Sequence, residues 1–303
     1  MRFLLKEIYK FLYKITHAKK YHHNRKRWPY VSIIRSENGE IVEFFYKKEK
    51  INIKPLSHYQ NKYSGEVLLV ATGPSINEIN FKNKTTIPVF GVNGAYTLKE
   101  FLDFNFYIIT DEHFFEHRPN IMLDVISNSN ITLFIIIDVL TQIIDHCGGD
   151  NIKCTLVIIE NYCSKIYKPK FKIEDINKDH FDSKTNFLSL NEKNIAFTTD
   201  IKNGIFAERT VIYWALQVIS FLNYDKIYIA GLDMNNFDKP RFYENENDKI
   251  DTQLNDDFDG IISGFRLASD VFNKKNIEVI NLSANSAVPD SIFKKSNYSK
   301  FFG

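Results

Sequence analysis

Residues 66–75 read Glu66-Val67-Leu68-Leu69-Val70-Ala71 and then Thr72-Gly73-Pro74-Ser75, an apolar run cut off by a small-residue turn. An apolar run without polar alternation predicts a strand covered on both faces, and such strands belong to layered α/β folds. The turn is expected to hand the chain to a helix. Helix N-termini carry unpaired N–H groups and partial positive charge, so they hold phosphates well. No lysine follows the glycine and the loop is short, which excludes a Walker loop. The spacing is not the GxGxxG dinucleotide turn either. Taken alone, the turn fits a phosphate cradle and a plain connection equally.

The rest of the chain decides the fold class. Apolar segments at 87–92, 106–110, 131–137, 155–159, 226–230 and 277–281 predict further strands. Helical patterns fall at 96–102 and 119–126. The clearest is 207–222, where Val211, Ala215, Val218, Ile219 and Leu222 form one stripe; a last helix is predicted at 264–275, with Phe265, Ala268 and Phe272 inward. Strands alternating with helices predict a Rossmann-like, doubly wound, mostly parallel sheet. Two segments break the rhythm: 165–194 is polar and strand-poor, and 235–259 is crowded with Asn, Asp, Glu and Lys. The second reads as a polar lid or acceptor-binding insertion, or simply as a loop. In a chain of 303 residues this predicts a basic arm and lead-in over 1–60, with two strands at 30–35 and 41–46, and one domain over 61–303.

Net charge is only +2, which gives no signature of nucleic-acid binding, but the first thirty residues hold nine lysines and arginines against Glu7 alone. Leu5, Ile8, Phe11, Leu12 and Ile15 recur there at helical spacing with Lys6, Lys10 and Lys14 between them. A basic amphipathic helix lies on an anionic membrane surface or packs on the core with a solvated basic face. Lysines interrupt the stretch too often for a signal peptide, and no run reaches membrane-spanning length. Cys147, Cys154 and Cys163 lack CxxC spacing, which speaks against a zinc site or disulfides and for a reduced, cytoplasmic setting.

Ligands of open α/β sheets sit at the carboxyl ends of the strands. Those ends carry Thr72, Gly73 and Ser75; Asn93 and Gly94; Asp111, His113, His117 and Arg118; Gly231 and Asp233; and Ser283 and Asn285. Each has a plainer reading. Asn93 suits a positive-φ turn, Asp111 an N-cap, Asp233 an Asx turn, and Ser283 and Asn285 a cap. His113 and His117 stand four apart, as metal ligands on a helix do, but no third ligand is apparent. Arg209 and Thr210 fall at the start of the clearest helix, where they suit a phosphate or carboxylate; Arg241 and Tyr243 fall in the polar lid, where they would close over a departing phosphate.

These pieces resemble a known family. TGPS at 72–75, GVNGAY at 91–96, YIITD at 107–111, FTTDIKNG at 197–204, AGLD at 230–233, RFYE at 241–244, GFRLA at 264–268 and IEVINLS at 277–283 are similar to the lipopolysaccharide-core Kdo transferases of the WaaZ (RfaZ) type. A more distant resemblance is to bacterial CMP-sialic acid sialyltransferases of the variant GT-A fold. The resemblance implies a glycosyltransferase that moves a 2-keto-3-deoxy sugar acid from a CMP donor to lipopolysaccharide or lipooligosaccharide. Kdo is the first choice and sialic acid the alternative. Thr72, Gly73, Ser75, Asn93 and Thr210 would then meet the donor, and Tyr243 would assist the leaving phosphate. Two departures from the sialyltransferase pattern stand out: Asn235 replaces that family's second phosphate-binding tyrosine, and no histidine follows His180, so that family's catalytic base is missing.

The expected machinery is therefore Asp111, with His113 or His117 nearby, as general base; Arg209 on phosphate or sugar carboxylate; and Arg241 and Tyr243 on the leaving CMP. Donor contacts would come also from Asp233, Ser283 and Asn285. No cofactor or divalent metal is expected, because the leaving group carries one phosphate. The enzyme would be cytoplasmic and peripheral on the inner membrane, held by its basic arm. A nucleotide-binding interaction protein without catalysis is the reading from another class. A pterin pyrophosphokinase-like enzyme would need an acidic Mg²⁺ pair that is not evident.

Overall fold

The computed structural model describes residues 2–81, 85–176, 185–189, 194–235, 237–252 and 254–298. His180 lies outside the described residues, as do Asn236 and Gln253 of the expected lid. The basic arm forms helix α1 (Arg2–Thr16). The lead-in is a three-stranded antiparallel sheet, β1 (Val31–Arg35), β2 (Ile41–Tyr46) and β3 (Glu49–Ile51).

The central sheet begins with β4 (Glu66–Val70), β5 (Val89–Val92), β6 (Phe104–Ile109), β7 (Thr132–Ile135) and β8 (Thr155–Ile158). On the same side of the chain lie α2 (Glu112–His117), α3 (Pro119–Ser127) and α4 (Ile137–Cys147). A separate antiparallel pair, β9 (Asn186–Ser189) and β10 (Ile195–Thr198), precedes α5 (Val211–Leu222). Then come β11 (Lys226–Ala230), α6 (Phe258–Lys274), β12 (Glu278–Asn281) and the short β13 (Lys294–Lys295). The sheet order is β13-β12-β11-β4-β5-β6-β7-β8, and every neighbouring pair in it is parallel.

The strand pleat explains why the run at 67–71 is apolar throughout. Val67, Leu69 and Ala71 enter one hydrophobic cluster, with α5, α6 and β10. Leu68 and Val70 enter a second, with α3, α4 and the small antiparallel sheet. Successive side chains point to opposite faces, so a sheet covered on both sides needs apolar residues at every position. The fold is the predicted α/β doubly wound, Rossmann-like sheet.

The central sheet starts at β4, winds outward through β8, and returns to place β11 on the other flank of β4. The strand order reverses between β4 and β11, and ligands of such sheets enter at that switch point, outside the carboxyl ends. Only three residues join α5 to β11, so α5 runs antiparallel to the strands and its N-terminus lies at the carboxyl edge. The same holds for α6 ahead of β12.

Several expectations need correction. The turn at 72–75 leads not to an α-helix but to a five-residue 3-10 turn, Pro74–Glu78. The predicted helix at 96–102 is a 3-10 turn over Asn93–Leu98. The strand expected at 131–137 stops at Ile135, and Ile137 opens α4. α5 starts at Val211, so Arg209 and Thr210 precede it. α6 starts at Phe258, so the polar segment ends inside a helix. The segment 165–194 contributes a strand, β9.

Candidate functional site

The switch point is closed by hydrogen bonds. The buried Asp233, just past β11, accepts the backbone N–H of Ser75 at 2.8 Å and also the Ser75 hydroxyl. The Ser75 hydroxyl also lies 2.8 Å from that of Ser283, past β12. Three strand ends are thus tied by one serine. Gly73 N–H donates to the Gly231 carbonyl at 2.9 Å, and a Cβ on Gly73 would overlap Asp233. The amides of Gly73 and Ser75, expected to face a phosphate, are already satisfied within the protein. Without an α-helix behind them they also lack a macrodipole. This turn ties the end of β4 to the ends of β11 and β12.

Past β5, Asn93 adopts φ +45°, the left-handed region that asparagine tolerates. Its backbone carbonyl accepts the hydroxyl of the fully buried Tyr107 at 2.6 Å, and that hydroxyl accepts the N–H of Tyr96 at 2.8 Å. Burial pushes the Tyr107 phenol far up, so it stays a donor. With its backbone pinned, Asn93 holds its Oδ1 buried and without a hydrogen-bond partner among the described residues. Buried polar atoms are nearly always paired, so an orphaned acceptor at a strand's carboxyl end is a place for a ligand donor.

The segment after β11 folds over this surface. Phe242 N–H reaches the Thr72 carbonyl at 3.4 Å. The Tyr243 ring lies against Gly94, where any Cβ would overlap it. The Arg118 guanidinium stands 5.9 Å from the Tyr243 ring centroid. Burial raises the Tyr243 phenol to about 12; Glu244 and Asp111 add to this, and Arg241 and Arg118 oppose it. Arg241 donates to Glu244 Oε1 at 2.7 Å and to the Ile250 carbonyl at 3.1 Å. Arg118 approaches the same carboxylate oxygen at 3.7 Å and donates to the Asp248 carbonyl at 2.5 Å. The Glu244 side chain is wholly buried between the two cations.

Of the other expected residues, Asp111 stays near enough to act on the Tyr243 phenol, and the rest stand further off. Asp111 caps α2, accepting His113 N–H at 2.8 Å, and is exposed just past the carboxyl end of β6. His113 faces solvent and contacts Glu116 at 3.1 Å; that hydrogen bond raises its pKa. His117 Nδ1 bonds the His113 carbonyl at 2.8 Å. Arg209, at φ +42°, is exposed and lies 3.7 Å from Asp257 at the start of α6. Thr210 caps α5 through Ile212 N–H. Asn285 is exposed, and its carbonyl accepts from Asn235 at 2.7 Å. Among the described residues no three His, Cys, Asp or Glu side chains converge as metal ligands. The sequence reading gave no role to Tyr107, Arg118 or Glu244. Only the Arg241/Glu244 spacing in RFYE hinted at the last.

A parallel sheet whose carboxyl edge is roofed by a tyrosine- and arginine-bearing segment defines the class as an open α/β fold with its functional groups gathered past the strand ends. Comparison with known families narrows it. The model of the family described as 3-deoxy-D-manno-octulosonic acid transferase WaaZ matches residues 50–297; the chain belongs to this family and is a glycosyltransferase. No curated protein matches it. Among solved structures it is similar to the sialyltransferase CstII from Campylobacter jejuni in complex with cytidine-5'-monophosphate, at 13% identity over 76% of this chain and 84% of that one, with a TM-score of 0.40.

Proposed function

We propose that the chain transfers Kdo from a CMP-activated donor to a hydroxyl of the lipopolysaccharide or lipooligosaccharide core, on the cytoplasmic side of the inner membrane. The observation that carries this reading is the buried, unpartnered Oδ1 of Asn93 beside Gly94 and the Tyr243 ring. Asn93 accepts from a hydroxyl or amino group of the cytidine. Thr72 lines the same edge, while Ser75, Asp233 and Ser283 hold it in shape. The acceptor oxygen attacks the anomeric carbon, the bond from that carbon to the phosphate oxygen breaks, and CMP leaves with the electron pair. Tyr243 donates its O–H to the departing phosphate, and Arg118 beneath the ring offsets its charge. The acceptor's proton passes to a base, for which Asp111, exposed past the carboxyl end of β6, is the candidate. One phosphate needs no divalent ion when a cation and a phenol face it, so EDTA leaves the rate unchanged.

Calorimetry with CMP, followed by incubation of purified lipooligosaccharide with CMP-Kdo or CMP-sialic acid and mass spectrometry of the product, tests the proposal. Kdo addition is the expected result. Sialic acid addition alone would move the enzyme to the alternative donor, and no CMP binding at millimolar concentration would remove the reading.

A further inference from the structure

α1 carries an apolar face that the described residues leave uncovered. Tyr13 is buried and Tyr9 packs edge-on against Trp28 and Tyr30, so this stripe faces inward. Lys6, on the adjoining flank, pairs with Asp145 of α4 at 3.3 Å. Leu5 (43% exposed), Ile8 (44%), Phe11 (64%), Leu12 (36%) and Ile15 (62%) all point away. At about 100° per residue these five side chains share an arc of about 120°. A helix packed on the core with a solvated basic face would show the reverse, with lysines outward and leucines inward. The exposed face here is the hydrophobic one.

Two observations say what covers it. Residues 1–30 carry nine lysines and arginines against one glutamate, so a second copy brought to this face would meet like charge. Lys14 and Lys19 are exposed and make no ion pair among the described residues, which leaves their ammonium groups for an external anion. The arm is also continuous with the rim of the crevice: Lys26 pairs with Glu112 at 2.9 Å, one residue past Asp111, and Arg27 pairs with Asp138 at the start of α4.

We infer that α1 lies in the headgroup layer of an anionic phospholipid bilayer, with Phe11 and Ile15 inserted and the neighbouring lysines on lipid phosphates. The helix is sandwiched between bilayer and protein, and its attachment beside Glu112 turns the carboxyl edge of the sheet toward the membrane surface. The inference rests on α1 alone and stands or falls apart from the choice of donor.

Flotation of the full chain with vesicles of phosphatidylcholine, or of phosphatidylcholine with 30% phosphatidylglycerol, tests it, with circular dichroism and a melting curve to check folding. Vesicles with phosphatidylglycerol should be bound at least tenfold more tightly than neutral ones, and 0.5 M NaCl should weaken the binding. Phe11→Glu with Ile15→Glu should cut binding at least tenfold with the melting curve unchanged, since both side chains are exposed. Lys14→Glu with Lys19→Glu should remove the preference for phosphatidylglycerol. Equal binding to both vesicle types, no binding, or insensitivity to the Phe11/Ile15 change would overturn the inference. So would a wild-type dimer by ultracentrifugation that the Phe11/Ile15 change dissociates, because a second copy would then own the face.

Discussion

The carboxylate of Asp233 receives both the backbone N–H and the hydroxyl of Ser75, across 158 residues of sequence. It joins the first strand of the sheet to the strand that returns beside it. Asp233→Ala leaves two donors without their acceptor in a buried place, which costs about 1–3 kcal/mol. Urea denaturation should show that loss. Asp233→Asn keeps one oxygen and should lose less. If the alanine variant is as stable as wild type, the tie is not structural.

Asn93 is expected to serve the donor and not the fold. Its side-chain oxygen has no hydrogen-bond partner among the described residues to lose, so Asn93→Gly, which keeps the positive φ without strain, should leave the melting temperature nearly unchanged. CMP affinity should fall about tenfold or more, the value of one hydrogen bond in a buried site. Calorimetry reads it directly. A large drop in stability with unchanged affinity would reverse the assignment.

Gly94 is needed because the Tyr243 ring occupies the space of its missing side chain. Gly94→Ala should push the ring off and unseat the segment around Arg241 and Glu244. Hydrogen exchange over 241–250 should speed up while exchange in β4 and β5 stays slow. Transfer should drop even though no reacting group has been altered.

The pH profile separates the candidate bases. The Tyr243 phenol, raised to about 12, remains a neutral donor well past pH 10, so it adds no alkaline limb to the profile below that. Tyr243→Phe should slow transfer about tenfold at every pH from 6 to 10. Glu116 raises the pKa of His113, so the folded protein holds that proton above the usual 6.5. Any stability this pair adds is present below pH 6.5 and fades as pH rises through the folded value. A His113 base would give a rate that climbs through the same window. The expected result is no such climb, with His113→Gln close to wild type and Asp111→Asn inactive but folded.

The sheet was readable because burial on both faces leaves a one-dimensional mark: 133–135 and 67–70 are apolar whichever way they point. A helix that packs by one stripe, such as α6, left its mark too, whereas α5 is buried on every face from Ile212 to Leu222, more than its stripe announced. The short turns after β4 and β5 misled because their fate is tertiary. Pro74–Glu78 resembles a helix start, but Ser75 is held by Asp233, and nothing within 72–78 announces a carboxylate so far along the chain. For the same reason Arg118, Tyr107 and Glu244 were invisible as a group. Tyr107 reads as one more apolar strand residue until its hydroxyl is seen to pin Asn93. Asp111 was legible as a cap or a base, and the cap is what its backbone shows.

The pairing of Lys226 with Glu66 also bears on how the polypeptide acquires its shape. β4 is the first strand of the central sheet to be made and sits in its middle, yet one flank stays bare until β11 emerges. At a synthesis rate of ~5–20 residues per second that interval is roughly ten to thirty seconds. Throughout it the nascent half-sheet presents an open, apolar edge, the kind that invites mispairing. Translation speed and chaperone supply should therefore govern the yield of this enzyme more than its final stability does.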